Sequence, residues 1–231
     1  MRLHRFYVPQ PIEEKSAIVL QDSDFYHQLK NVFRFTAGGQ VILFDNSGFE
    51  YHCMISDLSR GEIALSIISK KEGMNISKRE VHLFVSLAKK DTFEWVLEKG
   101  TELGVTRFIP IVSDRSEKKN INMERALKIV IEASEQSGRV IIPTISEVTK
   151  FDNSLDAEFH SFAFDPKGDV FTIEHTHNYS PIGIFIGPEG GWTERELTLF
   201  KQNNIGIYSF GSQILKAETA SIAVASLLLL Q

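Results

Sequence analysis

The sequence predicts an α/β protein: a mostly parallel sheet with covering helices, preceded by a small β-barrel. Three observations predict it. Residues 1–72 carry short strand-like runs interrupted by one helical segment. A polar, glycine-containing stretch, Lys70–Arg79, follows them and reads as a linker. From Val81 to the last residues, apolar strand runs alternate with amphipathic helical runs, the pattern of parallel strands joined by helical crossovers. Two domains are therefore expected, 1–72 and 73–231.

In the first part, Val41–Phe44 is a short apolar run closed by Asp45-Asn-Ser-Gly48, which has turn chemistry. Phe49–Ile55 alternates, Arg60-Gly61 marks a turn, and Ile63–Ile68 continues the strand pattern. Asp22 or Ser23 can cap a helix whose Phe25, Leu29, Val32 and Phe33 share one face, with Gly38-Gly39 beyond its end. In the second part, Val81–Leu87 reads as strand, Asp91–Leu103 as a helix stopped by Gly104, and Phe108–Val112 as strand. Asn122–Ser137 is helical up to Gly138. Strands near Ser161–Phe164 and Ile182–Ile186, a helix from Thr193 to Asn203, a strand at Ile205–Phe210 and a last apolar helix complete the alternation.

Composition narrows the class. With 231 residues, 42% apolar and 24% charged, the chain is neither disordered, collagen-like nor disulfide-built. The single cysteine, Cys53, allows no internal disulfide and no cysteine zinc cluster, which points to a reducing compartment, the cytoplasm. The opening Met1–Pro9 lacks the apolar stretch of a signal peptide. The most apolar run, Ala217–Leu230, contains Glu218 and is shorter than the roughly 20 residues that span a bilayer. It reads as a buried helix, and no membrane role is expected. The net charge of −5 weighs against wholesale non-specific nucleic-acid binding, so any RNA contact must rest on local basic clusters.

Ligands of open α/β sheets sit at the carboxyl ends of strands, and two loops there are unusual. Ile186-Gly187-Pro188-Glu189-Gly190-Gly191-Trp192 lies between an apolar strand and a helix capped by Thr193, with Glu196 at the capping-box spacing. Its glycines bare the backbone, so a planar or charged ligand can approach closely; a plain tight turn would need only one of them. The second loop, Phe210-Gly211 through Ala220, opens the last helix, where orphan N–H groups favour polar or anionic ligand groups. An ordinary capped helix start with Glu218 in its first turn accounts for the same residues. The chain has no G-x-G-x-x-G, P-loop, H-E-x-x-H or G-x-S-x-G motif. His175-x-His177 reads as a solvated loop, so no metal is expected; Asp165 and Lys167 flank a strand end as a turn would; Cys53 reads as a small buried residue.

Five segments occur in order: Lys89-Lys-Asp91, Glu98-Lys-Gly-Thr-Glu-Leu-Gly-Val105, Glu132-Ala-Ser-Glu-Gln-Ser-Gly-Arg139, Ile186–Gly191 and Ile214-Leu-Lys-Ala-Glu-Thr-Ala220. Together they resemble the RsmE family of ribosomal RNA uridine N3-methyltransferases, a branch of the SPOUT, or trefoil-knotted, methyltransferases. His27–Arg34 and the strands after it are similar to that family's PUA-like RNA-binding domain, so the resemblance covers nearly the whole chain. It implies a knotted C-terminal domain, an exception to unthreaded topology. It also implies S-adenosylmethionine bound between the knot loops, a homodimer, and ribosomal RNA or the small ribosomal subunit as partner.

On this chain the implied cofactor contacts fall at Phe164, Gly187, Pro188, Glu189, Gly190, Gly191, Phe210, Gly211, Ile214, Leu215, Lys216 and Thr219. The family usually carries arginine where this chain has Gln213 and Lys216, and lysine lacks arginine's planar fork. Methylating uracil N3 requires its proton to leave before or as the methyl arrives, which asks for a base or a nearby cation. Arg139 suits the cation, and Glu189 or Glu218 the acceptor, although both glutamates also fit cap or loop structure. Arg2, Arg5, Lys30, Arg34, Lys89 and Arg115 are the expected phosphate contacts. A knotted methyltransferase acting on transfer RNA or another base would carry the same features, and so would a non-catalytic RNA-binding module, against which the intact glycine loop argues.

Overall fold

The structure is a computed structural model that describes residues 3–13, 15–73, 79–87, 90–156, 159–176 and 179–230. The chain divides into two compact units: Met1–Ile76 with Ser134–Ile141, and Ser77–Ala133 with Ile142–Gln231. The first unit thus takes in a segment distant in sequence, and no single cut separates the two.

In the first unit, β1 (Arg5–Tyr7), β2 (Ala17–Leu20), β3 (Gln40–Phe44), β4 (Phe49–Ser59) and β5 (Glu62–Glu72) form a sheet in the order β1-β3-β4-β5-β2. β1 and β3 are parallel and the other pairs antiparallel. One buried cluster takes Phe6 from β1, Ile18 from β2, Leu43 from β3, Cys53 from β4 and Leu65 from β5. The sheet therefore curls round a single core, as a small barrel does. Arg60 and Gly61, at φ of 53° and 82°, make the two-residue turn between β4 and β5, whose primed geometry needs positive φ at both positions.

Two expectations for this unit are corrected. The helix α1 (Ser23–His27) is capped by Asp22, whose Oδ1 accepts from Asp24 N and Phe25 N at 3.0 and 2.9 Å. It then widens into a π-helical turn, Gln28–Val32, in which Phe33 N donates to Gln28 O at 3.0 Å. The i→i+5 step rotates the face, so Leu29 is buried but Val32 is 61% exposed. The linker expected over Lys70–Arg79 is corrected at its start: Lys70–Glu72 belong to β5 and pair with Tyr51–Phe49, while residues 74–78 lie outside the described residues.

In the second unit, β6 (Val81–Ser86), β7 (Arg107–Val112), β8 (Thr144–Ile145), β9 (Thr149–Lys150), β10 (Ser161–Val170), β11 (Ile182–Ile186) and β12 (Gly206–Ser209) form a seven-stranded sheet. Its order is β12-β10-β11-β6-β7-β8, with β9 also paired to β7. Every pairing among the described residues is parallel. The helices are α2 (Lys90–Leu103), α3 (Met123–Ser137, whose residues from Ser134 on fall in the first unit), α4 (Glu194–Gln202) and α5 (Ala217–Leu229).

Parallel strands covered on both faces must be apolar on both, and β6 and β11 are buried at every position. Alternation sends Leu83 and Val85 into a cluster with Leu97 and Val224, and Phe84 into the opposite cluster with Phe185, Trp192 and Phe200. α5 follows the edge strand β12 yet packs against α2 and reaches β6 and β11. It buries Ala220, Ser221, Val224 and Leu228. No helix among the described residues is long and apolar enough to cross a membrane.

Phe200 is fully buried, and its ring lies 5.0 Å from Phe151, 5.2 Å from Phe185 and 5.0 Å from Trp192. Phe200→Ala leaves a cavity among three rings and is expected to destabilise the second unit by about 3–5 kcal/mol. Val32→Ser, on the solvated side of the π-helical turn, should cost less than about 0.5 kcal/mol. Urea unfolding of both variants followed by tryptophan emission and circular dichroism measures the contrast.

Candidate functional site

β10, β11 and β12 lie near one another in one parallel sheet, so the loops at their carboxyl ends meet. There they enclose a cavity of about 260 Å³, close to the roughly 300 Å³ at which ligand pockets begin. The loop after β11 forms one wall, the loop after β12 another, and Ala217 and Ala220 of α5 close it from below. Its lining is mainly apolar: Phe164, Ile186, Tyr208, Phe210, Ile214 and Leu215, with Asp165, Glu189, Gln213 and Lys216 as polar groups. The rings of Phe164 and Phe210 stack 4.6 Å apart at 18°.

The glycine loop is held by its neighbours. Trp192 is buried, and its Nε1 donates to Phe164 O at 3.0 Å. A Cβ on Gly187 would stand 3.0 Å from Trp192 Cε2, so glycine there lets the backbone pass close to the indole. Gly191 N donates to Pro188 O at 2.8 Å, and Arg115 Nη1 donates to Gly190 O at 2.6 Å.

Behind the loop, α4 starts with the capping box its sequence predicts: Glu196 N donates to Thr193 Oγ1 at 3.3 Å and Thr193 N to Glu196 Oε2 at 2.8 Å. Glu196 is fully buried, and its Oε1 also accepts from Asp114 N at 2.8 Å. Thr193 Oγ1 shares one proton between Asp114 Oδ2 at 2.8 Å and Glu196 Oε2 at 3.0 Å. Arg195 grips Asp114 with Nη2 and Nε at 2.8 and 3.1 Å, and reaches Asp152 with Nη1 at 2.8 Å. That guanidinium holds the Asp114 carboxyl below its ordinary value.

Of the residues expected at the cofactor, Phe164, Gly187, Pro188, Glu189, Gly191, Phe210, Ile214, Leu215 and Lys216 line this cavity. Gly190, Gly211 and Thr219 do not; a Cβ on Gly190 would face Arg115 Cδ at 3.2 Å. Asp165, Trp192 and Tyr208 line it without having been anticipated. An acidic residue ending the apolar run Phe162–Phe164 was the available signal for Asp165. Tyr208 enters only because β12 lies beside β10.

Of the proposed catalytic residues, Glu189 alone lines the cavity. Glu189 is an exposed lining residue, whereas Glu218 is half-buried in the first turn of α5, 4.0 Å from Lys216 Nζ. Arg139 belongs to the first unit, is 6% exposed and donates from Nε to Ile141 O at 3.0 Å. Burial pushes its guanidinium down to about 10, which leaves it charged at neutral pH.

Among the phosphate candidates, Arg5 is tied to Glu50 at 2.6 Å and Lys30 Nζ donates to Tyr26 Oη at 2.6 Å. Arg34 is exposed with φ of 57°, and Arg115 is engaged by the glycine loop. Arg2, Lys89 and His177 lie outside the described residues. No group of three or more His, Cys, Asp or Glu among the described residues could hold a metal ion. Burial pushes the Cys53 thiol up to about 11, so it is an inert core residue.

A loop-built cavity at the carboxyl ends of a parallel sheet is where α/β folds of this kind bind their ligands. The RNA methyltransferase domain family matches residues 75–229, and the RNA methyltransferase PUA domain matches residues 21–68. The ribosomal RNA small subunit methyltransferase E of Rickettsia conorii is 31% identical over 100% of this chain and 97% of its own. A solved structure of that enzyme from Neisseria gonorrhoeae, bound to S-adenosyl methionine, superposes with a TM-score of 0.90 at 27% identity, covering 97% of this chain and 96% of that one. A putative methyltransferase of Legionella pneumophila, in complex with the same cofactor, gives 0.89 at 27% identity, with 98% and 96% covered. The chain belongs to the RsmE family of ribosomal RNA small subunit methyltransferases.

The depressed Asp114 carboxyl gives a pH signature. Its stabilising contribution is complete above its ordinary value of 3.8 and is lost as pH falls through the lower folded value. Asp114→Asn should therefore flatten the acid limb of the stability curve below about pH 4. The amplitude is small because Asp114 and Arg195 are both partly exposed. Thermal melts of the two proteins across that limb provide the comparison.

Proposed function

We propose that the protein transfers a methyl group from S-adenosylmethionine to N3 of a uridine in small-subunit ribosomal RNA, with the donor held in the cavity beside the glycine loop. The observation that carries this reading is the cavity itself, built from two loops at the ends of β10, β11 and β12. Support comes from relatives, matched over nearly their whole length, that are named as ribosomal RNA small subunit methyltransferases, and from neighbours that hold this donor; the uridine N3 target is the part this reading adds.

The residues present fit such a ligand. Ile186, Ile214, Leu215 and Phe210 offer apolar contact for a flat adenine, and the bare backbone at Gly187 and Gly191 lets its polar edges approach. Asp165 and Glu189 suit a positively charged part. When bound, the donor supplies a methyl carried on a cationic sulfur.

The chain's own residues do the remaining work. Uracil N3 is paired inside helices, so the target base must be unpaired or extruded to reach the cavity. Glu189 lines the cavity, and among the described residues it has no hydrogen-bond partner, which suits it to accept the N3 proton; Glu218 is the second acceptor considered. Arg139, charged despite burial, is assigned to the developing uracil anion. In this reading it acts within a homodimer, in which one chain's Arg139 serves its partner's cavity.

α5 supports a dimer because it is apolar nearly all round, with Leu227 43% exposed. Its return from the edge strand β12 to α2 is read as the trefoil knot. Residues 1–72 are assigned the grip on RNA through Arg2, Arg5, Lys30 and Arg34, with Lys89 and Arg115 at the donor end. A ribosomal RNA substrate and a single cysteine, Cys53, support a cytoplasmic location.

Incubation of small ribosomal subunits and free ribosomal RNA with the protein and labelled donor, followed by nucleoside mass spectrometry, tests the reading. The expected product is 3-methyluridine in small-subunit RNA. Label in transfer RNA or in another nucleoside contradicts the assigned target, and no transfer to any RNA contradicts the activity. At saturating donor, Glu189→Gln should lower the transfer rate roughly 100-fold if it accepts the proton.

A further inference from the structure

We propose that Asp165, reinforced by Glu189, makes the cavity select by charge. It favours the donor, whose sulfur is cationic, over the neutral thioether left after transfer, so that losing the methyl itself loosens the product. The inference rests on reading the cavity as the S-adenosylmethionine site.

Asp165 is 8% exposed, sits at the bend where β10 shifts register, and lines the cavity. Its Oδ1 accepts from Lys167 N at 2.9 Å. No other donor among the described residues reaches the carboxylate, and neither oxygen is a sealed, unpartnered atom. The second oxygen is therefore accessible, in a residue that lines the cavity.

The nearby cations have other first partners, although Lys167 also feels the Asp165 charge. Lys167 Nζ pairs with Glu194 at 2.8 Å, and Arg115 donates to Gly190 O at 2.6 Å. Lys216 is 81% exposed and lies 4.0 Å from Glu218. Glu189 adds a second carboxylate to the lining. The buried Asp165 charge is weakly screened at a mostly apolar wall, whereas the exposed Glu189 is screened more and contributes less.

The two ligands differ only in the methyl and in the charge on sulfur. A hydrogen bond from Asp165 to a ribose hydroxyl or an amino group would serve both equally, whereas its negative charge separates them. Asparagine keeps the size of the side chain and an oxygen for Lys167 N but removes the charge. That makes Asp165→Asn a test of charge alone.

Titration calorimetry on the full chain, with S-adenosylmethionine, S-adenosylhomocysteine and an analogue bearing an amine in place of the sulfonium methyl, decides the matter. Preference is the Kd of the thioether divided by the Kd of the donor. Asp165→Asn should lower it about tenfold, about 1.4 kcal/mol between the two charge states. The amine analogue should track the donor, because it shares the charge and not the methyl. Glu189→Gln should shift the preference in the same direction and carries the test should Asp165→Asn fail to fold. Equal loss of affinity for all three ligands, or an unchanged preference in every folded variant, overturns the charge assignment while leaving the cofactor site intact. A wild-type protein that binds none of the ligands overturns the site reading and this inference with it.

Discussion

The buried carboxylate of Glu196 joins two parts of the chain that sequence keeps apart. It completes the capping box at the start of α4 and accepts the amide of Asp114, 82 residues earlier, at the end of β7. Burying a carboxylate without partners is costly, and removing its donors would leave that cost uncompensated. Three donors at 2.8–3.0 Å offset it here. The consequence reaches the glycine loop, because Arg115 follows Asp114 and holds Gly190 O, while Trp192 precedes the helix and holds Phe164 O. The cavity is thus shaped by hydrogen bonds made outside it.

An all-parallel sheet with both faces covered leaves chemistry little room except at the strand ends. β6 and β11 are buried throughout, so polar groups collect where these and neighbouring strands stop. Asp165 at the bend of β10 and Glu189 after β11 are two such groups. The stacked Phe164 and Phe210 and the packed Trp192 surround them with apolar wall. Lys216, largely solvated, brings a flexible point charge to the same wall.

Long periodic elements were legible and short ones were not. Val81–Leu87, Asp91–Leu103 and Ile182–Ile186 declare themselves by alternation or by a helical stripe, and the structure places β6, α2 and β11 there. β8 and β9 have two residues each, too few for any period. The π-helical turn at Gln28–Val32 was hidden because Leu29 and Val32 fit an ordinary helical spacing. Lys70–Glu72 looked like linker because pairing with Phe49–Tyr51 needs no apolar side chains; Lys70 Nζ instead sits 4.0 Å over the Phe49 ring.

At the site, glycine and proline marked the loop after β11, and Thr193 with Glu196 marked the cap. The tie from Glu196 to Asp114 is a long-range contact that no local spacing encodes. A lone aspartate at a strand end reads as turn chemistry, and Asp165 does make such a turn with Lys167 N; only the neighbouring strands turn it into cavity wall.

Hydrogen exchange in Glu196→Ala tests most directly whether the loop is shaped from outside the cavity. The account predicts that amides between Gly187 and Trp192 lose protection while those of β10 and β11 keep it. Wild-type protection of that loop in a folded Glu196→Ala protein would contradict the account.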